Sequence, residues 1–515
     1  GLPISCFLNQ VGDSLDDIVE TWTENVWLAS NGGGIGTYWG NVRSIGEKVG
    51  QNGQTSGIIP FIRVMDSLTL AISQGSLRRG SAACYLDIHH PEIEEFLEIR
   101  KASGDFNRKS LNLHHGINIT DAFMEAVRND EEFALRSPKD DEVLRTVNAR
   151  KLWQKILELR IQTGEPYLLF TDTVNNAMPA HQRKLGMKVT QSNLCSEITL
   201  PTGVDHLGND RTAVCCLSSL NAEKFLEWNK DETFIEDVFR FLDNVLEDFI
   251  DRAPDEMARA VYSAKRERSV GLGLMGFHSF LQTMNVPMES AMSKVWNEKM
   301  FKHIRKGADA ASVKLAKERG PCEDARDAGM MARFSHKMAV APTASISIIC
   351  GGTSAGIEPI PANVYTHKTL SGSFTVKNPQ LERLLDSKGT NSEEIWTSIL
   401  EHEGSVQHLE CLDEHEKGVF KTAFELDQRW IIELAGDRTP YICQSQSLNV
   451  FLPADINKWD LHMLHWTAWE KGLKSLYYCR SKSVQRAGFA GSADKEKVIG
   501  MDVPKTDYDE CLACQ

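Results

Sequence analysis

The stretch "QSNLCSEITLPT", residues 191–202, sets Asn193, Cys195 and Glu197 at alternating positions. In a strand, side chains at i, i+2 and i+4 point the same way, so the three would share one face. That face carries an amide, a thiol and a carboxylate, while Leu194, Ile198 and Leu200 do not form one clean apolar row. A strand that serves only packing would place apolar groups there. The bland alternative is a buried cysteine acting as a small hydrophobe beside two exposed polar neighbours. Pattern alone leaves both readings open, and the rest of the chain decides.

Outward from this point, strand-like and helix-like segments alternate. "ISCFLNQV" reads as a strand, and "SLDDIVETWTENVWLA" places Leu15, Ile18, Val19, Trp22 and Val26 at helical spacing. "GIIPFIRVMDSLTLAI" and "PEIEEFLEIRKA" read as helices, the second with Pro91 in its first turn. A long helix through "TVNARKLWQKILELRIQTGEP" stops at Gly164 and Pro166. "YLLF", "KVTQSNLCSEITL" and "TAVCCLSSL" read as strands, followed by helices through "FIEDVFRFLDNVLEDFI" and "SKVWNEKMFKHIRKGADAASVKLAKERG". "MAVAPTASISII", "YICQSQSLNVFL" and "GLKSLYYC" are later strand-like segments. The alternation predicts a largely parallel α/β sheet covered by helices, open or closed into a barrel. Residues from about 376 to 436 are more helical and polar and read as an insertion. After Arg486 periodicity is lost, as in a flexible tail.

At 515 residues, 41% hydrophobic and 25% charged, the composition is that of a globular chain with a large core. No apolar run approaches the length that spans a membrane, and the start has no signal-peptide pattern. A net charge of −14 speaks against a general nucleic-acid coat. It leaves room for phosphorylated small molecules at local patches such as Arg78 and Arg79. Twelve scattered cysteines without framework spacing indicate free thiols and a reducing, cytoplasmic setting.

Single motifs carry little alone. "GLGLMG" (Gly271–Gly276) fits a dinucleotide fingerprint, but the preceding "SAKRERSV" is not an apolar strand, so helix packing is the better account. "NGGGIG" (Asn31–Gly36) lacks the Lys-Ser/Thr of a phosphate loop; its glycines point to a strained turn or a close backbone approach to a ligand. His89-His90 and His114-His115 each offer at most one inward ligand on a strand, so ordinary structural roles outweigh a metal site. A cysteine hydrolase would need a histidine base near Cys195, and the neighbouring strand segments hold none. Cys511 and Cys514, in the terminal "ECLACQ", suit a dithiol that swings between partners.

In this order, "ISCFLNQVGDSLD", "NLCSEI", "AVCCLSSLN", "APTASIS" with "GIEP", "LYY" and the terminal cysteine pair resemble the large (alpha) subunit of class I ribonucleotide reductases. The resemblance covers nearly the whole chain. It implies a ten-stranded α/β barrel over residues 1–485, with a central finger loop and the helical insertion, and a flexible redox tail over residues 486–515. It also implies reduction of ribonucleoside diphosphates to 2′-deoxyribonucleotides. Cys195 then becomes a thiyl radical that takes the C3′ hydrogen, Glu197 takes the 3′-hydroxyl proton and Asn193 binds the sugar. Cys6 and Cys215 resemble the pair that becomes a disulfide, with Cys216 facing the other way.

The same resemblance assigns Tyr477 and Tyr478 to radical transfer from a metal-containing small (beta) subunit, with no cofactor or metal bound in this chain. Cys511 and Cys514 become the shuttle recharged by thioredoxin or glutaredoxin. Ser5, Gly34, Thr343, Ala344 and Ser345 become substrate contacts. Asp13 and Arg43 become the site for nucleotide effectors (dNTP or ATP), with "SQGSLRRG" communicating between sites, and the alpha chain is expected to form a homodimer. The family's N-terminal helical region and ATP cone do not precede Cys6 here, which raises a separate N-terminal alpha fragment as a further partner. Two alternatives stay open: an adenosylcobalamin-dependent reductase on the same barrel, disfavoured by the tyrosine couple, and a non-catalytic half-subunit.

Overall fold

The computed structural model describes residues 2–482 except 52, 75–77 and 370–371. Cys511, Cys514 and the centre of "SQGSLRRG" therefore lie outside the described residues.

The first half of the main sheet is built from five strands, apart from the short hairpins between them: β1 (Cys6–Gln10), β2 (Gly34–Tyr38), β3 (Ser81–Asp87), β4 (His114–Ile119) and β5 (Tyr167–Phe170). They pair in chain order and all run parallel. A second set contains β6 (Ala213–Asn221), β7 (Val270–Met275), β8 (Val450–Pro453), β9 (Ser475–Leu476) and β10 (Cys479–Lys482). β6 pairs antiparallel to β1, and β9 pairs antiparallel to β5. Eight of these strands make one sheet in the order β7-β6-β1-β2-β3-β4-β5-β9.

The remaining gap is closed by thinner links. Parallel bridges join Leu272 to Met338 and Val340 to Gln446. The Tyr477 amide donates to the Leu448 carbonyl at 2.9 Å, and β8 pairs with β10 in parallel. With segments 338–340 and 444–450 the ring has ten members, arranged as two parallel halves that meet at two antiparallel seams.

Alternation along the strands separates two cores. Phe7, Ala82, Cys84, Leu86, Val214 and Cys216 pack outward against the helices. Cys6, Leu8, Ala83, Tyr85, Ala213 and Cys215 face the barrel interior. Burying an outer side chain such as Phe7 stabilises the fold by about 1.5–3 kcal/mol. The covering helices include α1 (Leu15–Ser30), α2 (Ile59–Ala71), α3 (Ala149–Thr163), α4 (Phe234–Arg252) and α5 (Ala291–Arg319). Ser14 caps α1 by accepting from the Asp17 amide, and Asp16 and Asp17 favour the positive end of its dipole. α3 ends at Gly164, whose φ of 84° suits glycine.

Several sequence expectations are corrected. Residues 187–200 form no strand but an irregular loop with a turn at 194–196. "PEIEEFLEIRKA" yields only a four-residue helix, Ile93–Phe96. Of "GLGLMG", residues 271–275 lie in the buried strand β7 and Gly276 caps the helix that follows; Gly273 is required because a Cβ there would sit 2.4 Å from the Ala339 carbonyl. On α1, Leu15 and Val19 are 65% and 46% exposed. The buried face is Ile18, Thr21, Glu24, Asn25, Leu28 and Ala29, because Asn9 and Thr212 hydrogen-bond Glu24. The apolar cluster of the insertion starts at Val364 and runs to Phe420. It holds α6 (Pro379–Ser387), α7 (Glu393–Glu401) and α8 (Glu414–Val419). Residues 431–435 belong instead to the main core. Among the described residues, no helix is long and apolar enough to cross a membrane.

Candidate active site

The loop between β5 and β6 enters the barrel and is tied to both halves. From the first half, Gln191 Nε2 donates to the Asn9 carbonyl at 2.7 Å, and the Tyr85 hydroxyl donates to the Asn193 carbonyl at 2.8 Å. From the second half, the Ser475 hydroxyl donates to the Ser196 carbonyl at 2.7 Å and the Ser445 amide to the Glu197 carbonyl at 2.8 Å. Ser447 Oγ donates to the Cys195 carbonyl at 2.5 Å and to Glu197 Oε2 at 3.1 Å. Asn193 Oδ1 closes the turn by accepting from the Glu197 and Ile198 amides at 3.1 and 3.2 Å. Ser196 takes a left-handed φ of 66°. Asn193, Cys195 and Glu197 are thus brought together by a capped turn in the barrel, all fully buried, and not by the face of a strand.

The glycine run serves this insertion. A Cβ on Gly36 would lie 2.0 Å from the Ser192 carbonyl oxygen. The close approach is therefore to the cysteine loop itself.

Cys6 and Cys215 are directly opposite each other across the β1–β6 seam, both as thiols. Burial pushes the Cys215 thiol well above its ordinary value, against a lowering contribution from Gln444. Cys216, turned to the outer core, is pushed up to about 12 by burial. Cys6 has Ser5 Oγ at 3.8 Å and Asn193 Nδ2 at 3.9 Å from its sulfur.

Tyr477 and Tyr478 interrupt the strand between β9 and β10, and both rings turn into the interior. Their centroids are 4.4 Å apart, and the buried Tyr167 ring lies 4.8 Å from one and 5.1 Å from the other. Burial, then Glu165, raises the Tyr478 phenol above its ordinary value. The Tyr478 hydroxyl lies 3.2 Å from His114 Nδ1, which itself lies 2.5 Å from Glu165 Oε1. Glu165 also contacts His115 Nδ1 at 2.9 Å and Arg100 Nε at 3.2 Å. Burial alone would raise this carboxyl, but Arg100 and the two imidazoles hold it well below the ordinary range. Both histidines of the pair thus serve one carboxylate.

Ser5, before β1, and Gly34, opening β2, sit at the barrel end where the second-half strands finish. Thr343, Ala344 and Ser345 follow segment 338–340 at that same end. Thr343 has φ 53°, and its hydroxyl accepts from the Gly356 amide at 2.7 Å. Asp13 and Arg43 are brought together but onto each other, with Arg43 Nε 2.9 Å and NH2 2.8 Å from Asp13 Oδ2. His206, Asp324 and Asp327 could cluster around a metal, but Arg266 lies 2.9 Å from Asp324 and already supplies a cation there.

Sequence reasoning missed Tyr85, Tyr167, Glu165, Gln444, Ser445, Ser447 and Ser475. The one available signal was "CQSQS", a polar run inside an otherwise apolar strand-like segment.

Against this geometry, the family described as ribonucleotide reductase, barrel domain, matches residues 4–331 and 323–479. A Frog virus 3 relative is 44% identical over the full chain and 88% of its own length. The ribonucleoside-diphosphate reductase large subunit of Invertebrate iridescent virus 3 is 40% identical with the same coverage. A solved structure, the Actinobacillus ureae class Id ribonucleotide reductase alpha subunit, superposes with a TM-score of 0.82 at 36% identity. That match covers 95% of this chain and 86% of the other.

Proposed function

This chain is a member of the ribonucleotide reductase large-subunit family, and we propose that it reduces ribonucleoside diphosphates through a radical on Cys195. The observation that carries the proposal is the burial of Cys195 on a loop inside the barrel, in one interior cluster with Cys6, Cys215, Tyr477 and Tyr478. Its partner is the small subunit that a large subunit implies, whose metal centre supplies the one-electron oxidant.

Tyr478 and Tyr477 relay the oxidation inward, and Cys195 abstracts the C3′ hydrogen. Glu197 accepts the 3′-hydroxyl proton and Asn193 orients the sugar. The 2′-hydroxyl leaves as water, Cys6 and Cys215 supply two electrons and become a disulfide, and Cys195 returns its hydrogen. Ser5, Gly34 and residues 343–345 bind substrate at the barrel end. Asp13 and Arg43 part to hold an effector nucleotide, and Cys511 and Cys514 carry electrons from thioredoxin or glutaredoxin. Exclusion of water suits this chemistry, because a buried radical meets few competing donors.

The test mixes purified chain, a family small subunit and a ribonucleoside diphosphate with dithiothreitol, and measures deoxynucleotide. Cys195→Ser should abolish turnover while nucleotide binding persists, since a hydroxyl fills similar space but cannot serve as the radical. Multiple turnovers by that variant would overturn the assignment. Turnover with adenosylcobalamin and no small subunit would favour the cobalamin reading.

A further inference from the structure

If Cys6 and Cys215 form a disulfide in turnover, as the function above requires, one of the two sulfurs must be attacked when it is reduced. We propose that Gln444 sets the direction: the reductant attacks Cys6, and Cys215 leaves as a thiolate held by the Gln444 amide.

The orientation of that amide is fixed. Gln444 Oε1 accepts from the Thr199 amide at 3.2 Å, and a backbone N–H can only donate, so the side chain cannot flip. Nε2 therefore faces the Val270 carbonyl at 3.2 Å and Cys215 Sγ at 3.4 Å. The backbone beneath is fixed as well. The buried Lys474 ammonium donates to the carbonyls of Ile442, Cys443 and Gln444 at 2.8, 3.1 and 2.7 Å. Burial raises the Cys215 thiol and Gln444 works against that rise: an N–H donor stabilises a sulfur anion more than a neutral thiol, so within the pair it is the feature that favours departure from Cys215.

Space points the same way. In thiol exchange the attacking sulfur approaches along the S–S axis from the far side of the sulfur it attacks. On the far side of Cys215 lies β7. Even a Cβ on Gly271 there would meet Leu217 at 2.5 Å and Cys215 Sγ at 3.2 Å, so no sulfur fits. On the far side of Cys6 lies β2, and its residue in register with Cys6 is Gly34, which has no side chain. The interior row reads Cys215, Cys6, Gly34, Ser81, so the register neighbour of Cys6 away from Cys215 is the one position without a side chain.

The step balances with a dithiol as reductant. Its thiolate bonds to Cys6 Sγ, the S–S bond breaks, and Cys215 takes the electron pair and then a proton. The second thiol of the reductant displaces Cys6, leaving two protein thiols and an oxidised dithiol.

The experiment uses the full chain carrying Cys511→Ser and Cys514→Ser, so that only added thiol reduces it. Turnover with small subunit and a ribonucleoside diphosphate, without reductant, loads the disulfide. 2-Mercaptoethanol is then added, excess N-ethylmaleimide follows after a short interval to quench it and cap the freed sulfur, and peptides are mapped by mass spectrometry. The expected result is mercaptoethanol on Cys6 and maleimide on Cys215, favoured by roughly tenfold or more. Gln444→Leu should bring the two patterns toward parity. Gln444→Glu keeps the acceptor for Thr199 but sets an anion beside the leaving sulfur, and should slow reduction further. The reversed pattern, or one unchanged in both variants, overturns the proposal; if a variant does not fold, the pattern in the parent chain still decides the direction. Absence of any Cys6–Cys215 disulfide after turnover would instead remove the function reading on which the proposal rests, and the proposal with it.

Discussion

Asn193 shows how one side chain can serve both a turn and a substrate. Its carbonyl oxygen is committed to two buried amides, while its NH2 group is directed toward the interior near Cys6. Asn193→Ala should therefore leave two buried donors without their acceptor, at a cost of about 1–3 kcal/mol each. Asn193→Asp keeps the acceptor, loses the donor toward Cys6 and places a carboxyl there that burial holds protonated. Expected results are a lowered thermal midpoint and a protease-sensitive loop in the alanine variant, with near-normal folding but lost turnover in the aspartate variant. Equal thermal midpoints for the two would show that the cap contributes nothing. The same residue explains the limit of the sequence reading. Alternation of Asn, Cys and Glu looks like a strand face, yet a capped turn places the three side chains together equally well. The hydrogen bonds that select the turn come from Tyr85, Ser445, Ser447 and Ser475, far away in sequence.

At the scale of elements, the strands were legible wherever alternation separates two cores. Phe7 between Cys6 and Leu8 marks β1, and Val214 between Ala213 and Cys215 marks β6. The helix faces were less legible, because α1 buries Glu24 and Asn25 in a polar network and leaves Leu15 outside. The glycines of β2 could be noticed but not explained, since the group they accommodate is a loop more than 150 residues later. Gly36→Ala should test that fit. The methyl group would press on the Ser192 backbone, which has no flexible end to yield, so the strand or the loop must move. Overpacking of this kind costs about 1–3 kcal/mol, and the displaced loop should lose turnover as well. Gly418→Ala in α8 is the control. Its nearest neighbour would be Pro287 at 3.9 Å, and alanine should raise helix stability by about 0.5–1 kcal/mol. Full activity in Gly36→Ala would mean the loop does not depend on that contact.

The whole molecule closes its ring through single bridges at Met338 and Val340, which no periodicity marks, so the sequence pattern left open sheet and barrel undecided while the ordered motifs indicated the barrel. Closure buries many groups that would prefer water, and five histidines carry a consequence for pH. Burial holds His90, His181 and His278 down to about 4 and His336 and His465 down to about 3. In the unfolded chain each has a pKa of about 6.5, so between these values the unfolded state binds more protons and stability rises with pH. This stability is fully present above about pH 6.5 and is lost as pH falls toward 4. At pH 5 each buried histidine costs about 2 kcal/mol relative to neutral pH, or about 10 kcal/mol for five, comparable to the whole stability of a domain. Glu267, pushed up to about 8 by burial, and Glu92, pushed up to about 7, work in the opposite direction by about 2 kcal/mol each, which leaves a net loss of about 5 kcal/mol at pH 5. Acid unfolding followed by tryptophan fluorescence should therefore have its midpoint between about pH 4 and 5, above the range where carboxylates such as Glu165 are protonated. His336→Gln, which keeps a donor for Gln182, should make the transition shallower by about one proton and move it to lower pH. A stability that stays level from pH 7 to pH 4 would show that the buried histidines pick up their protons without opening the fold.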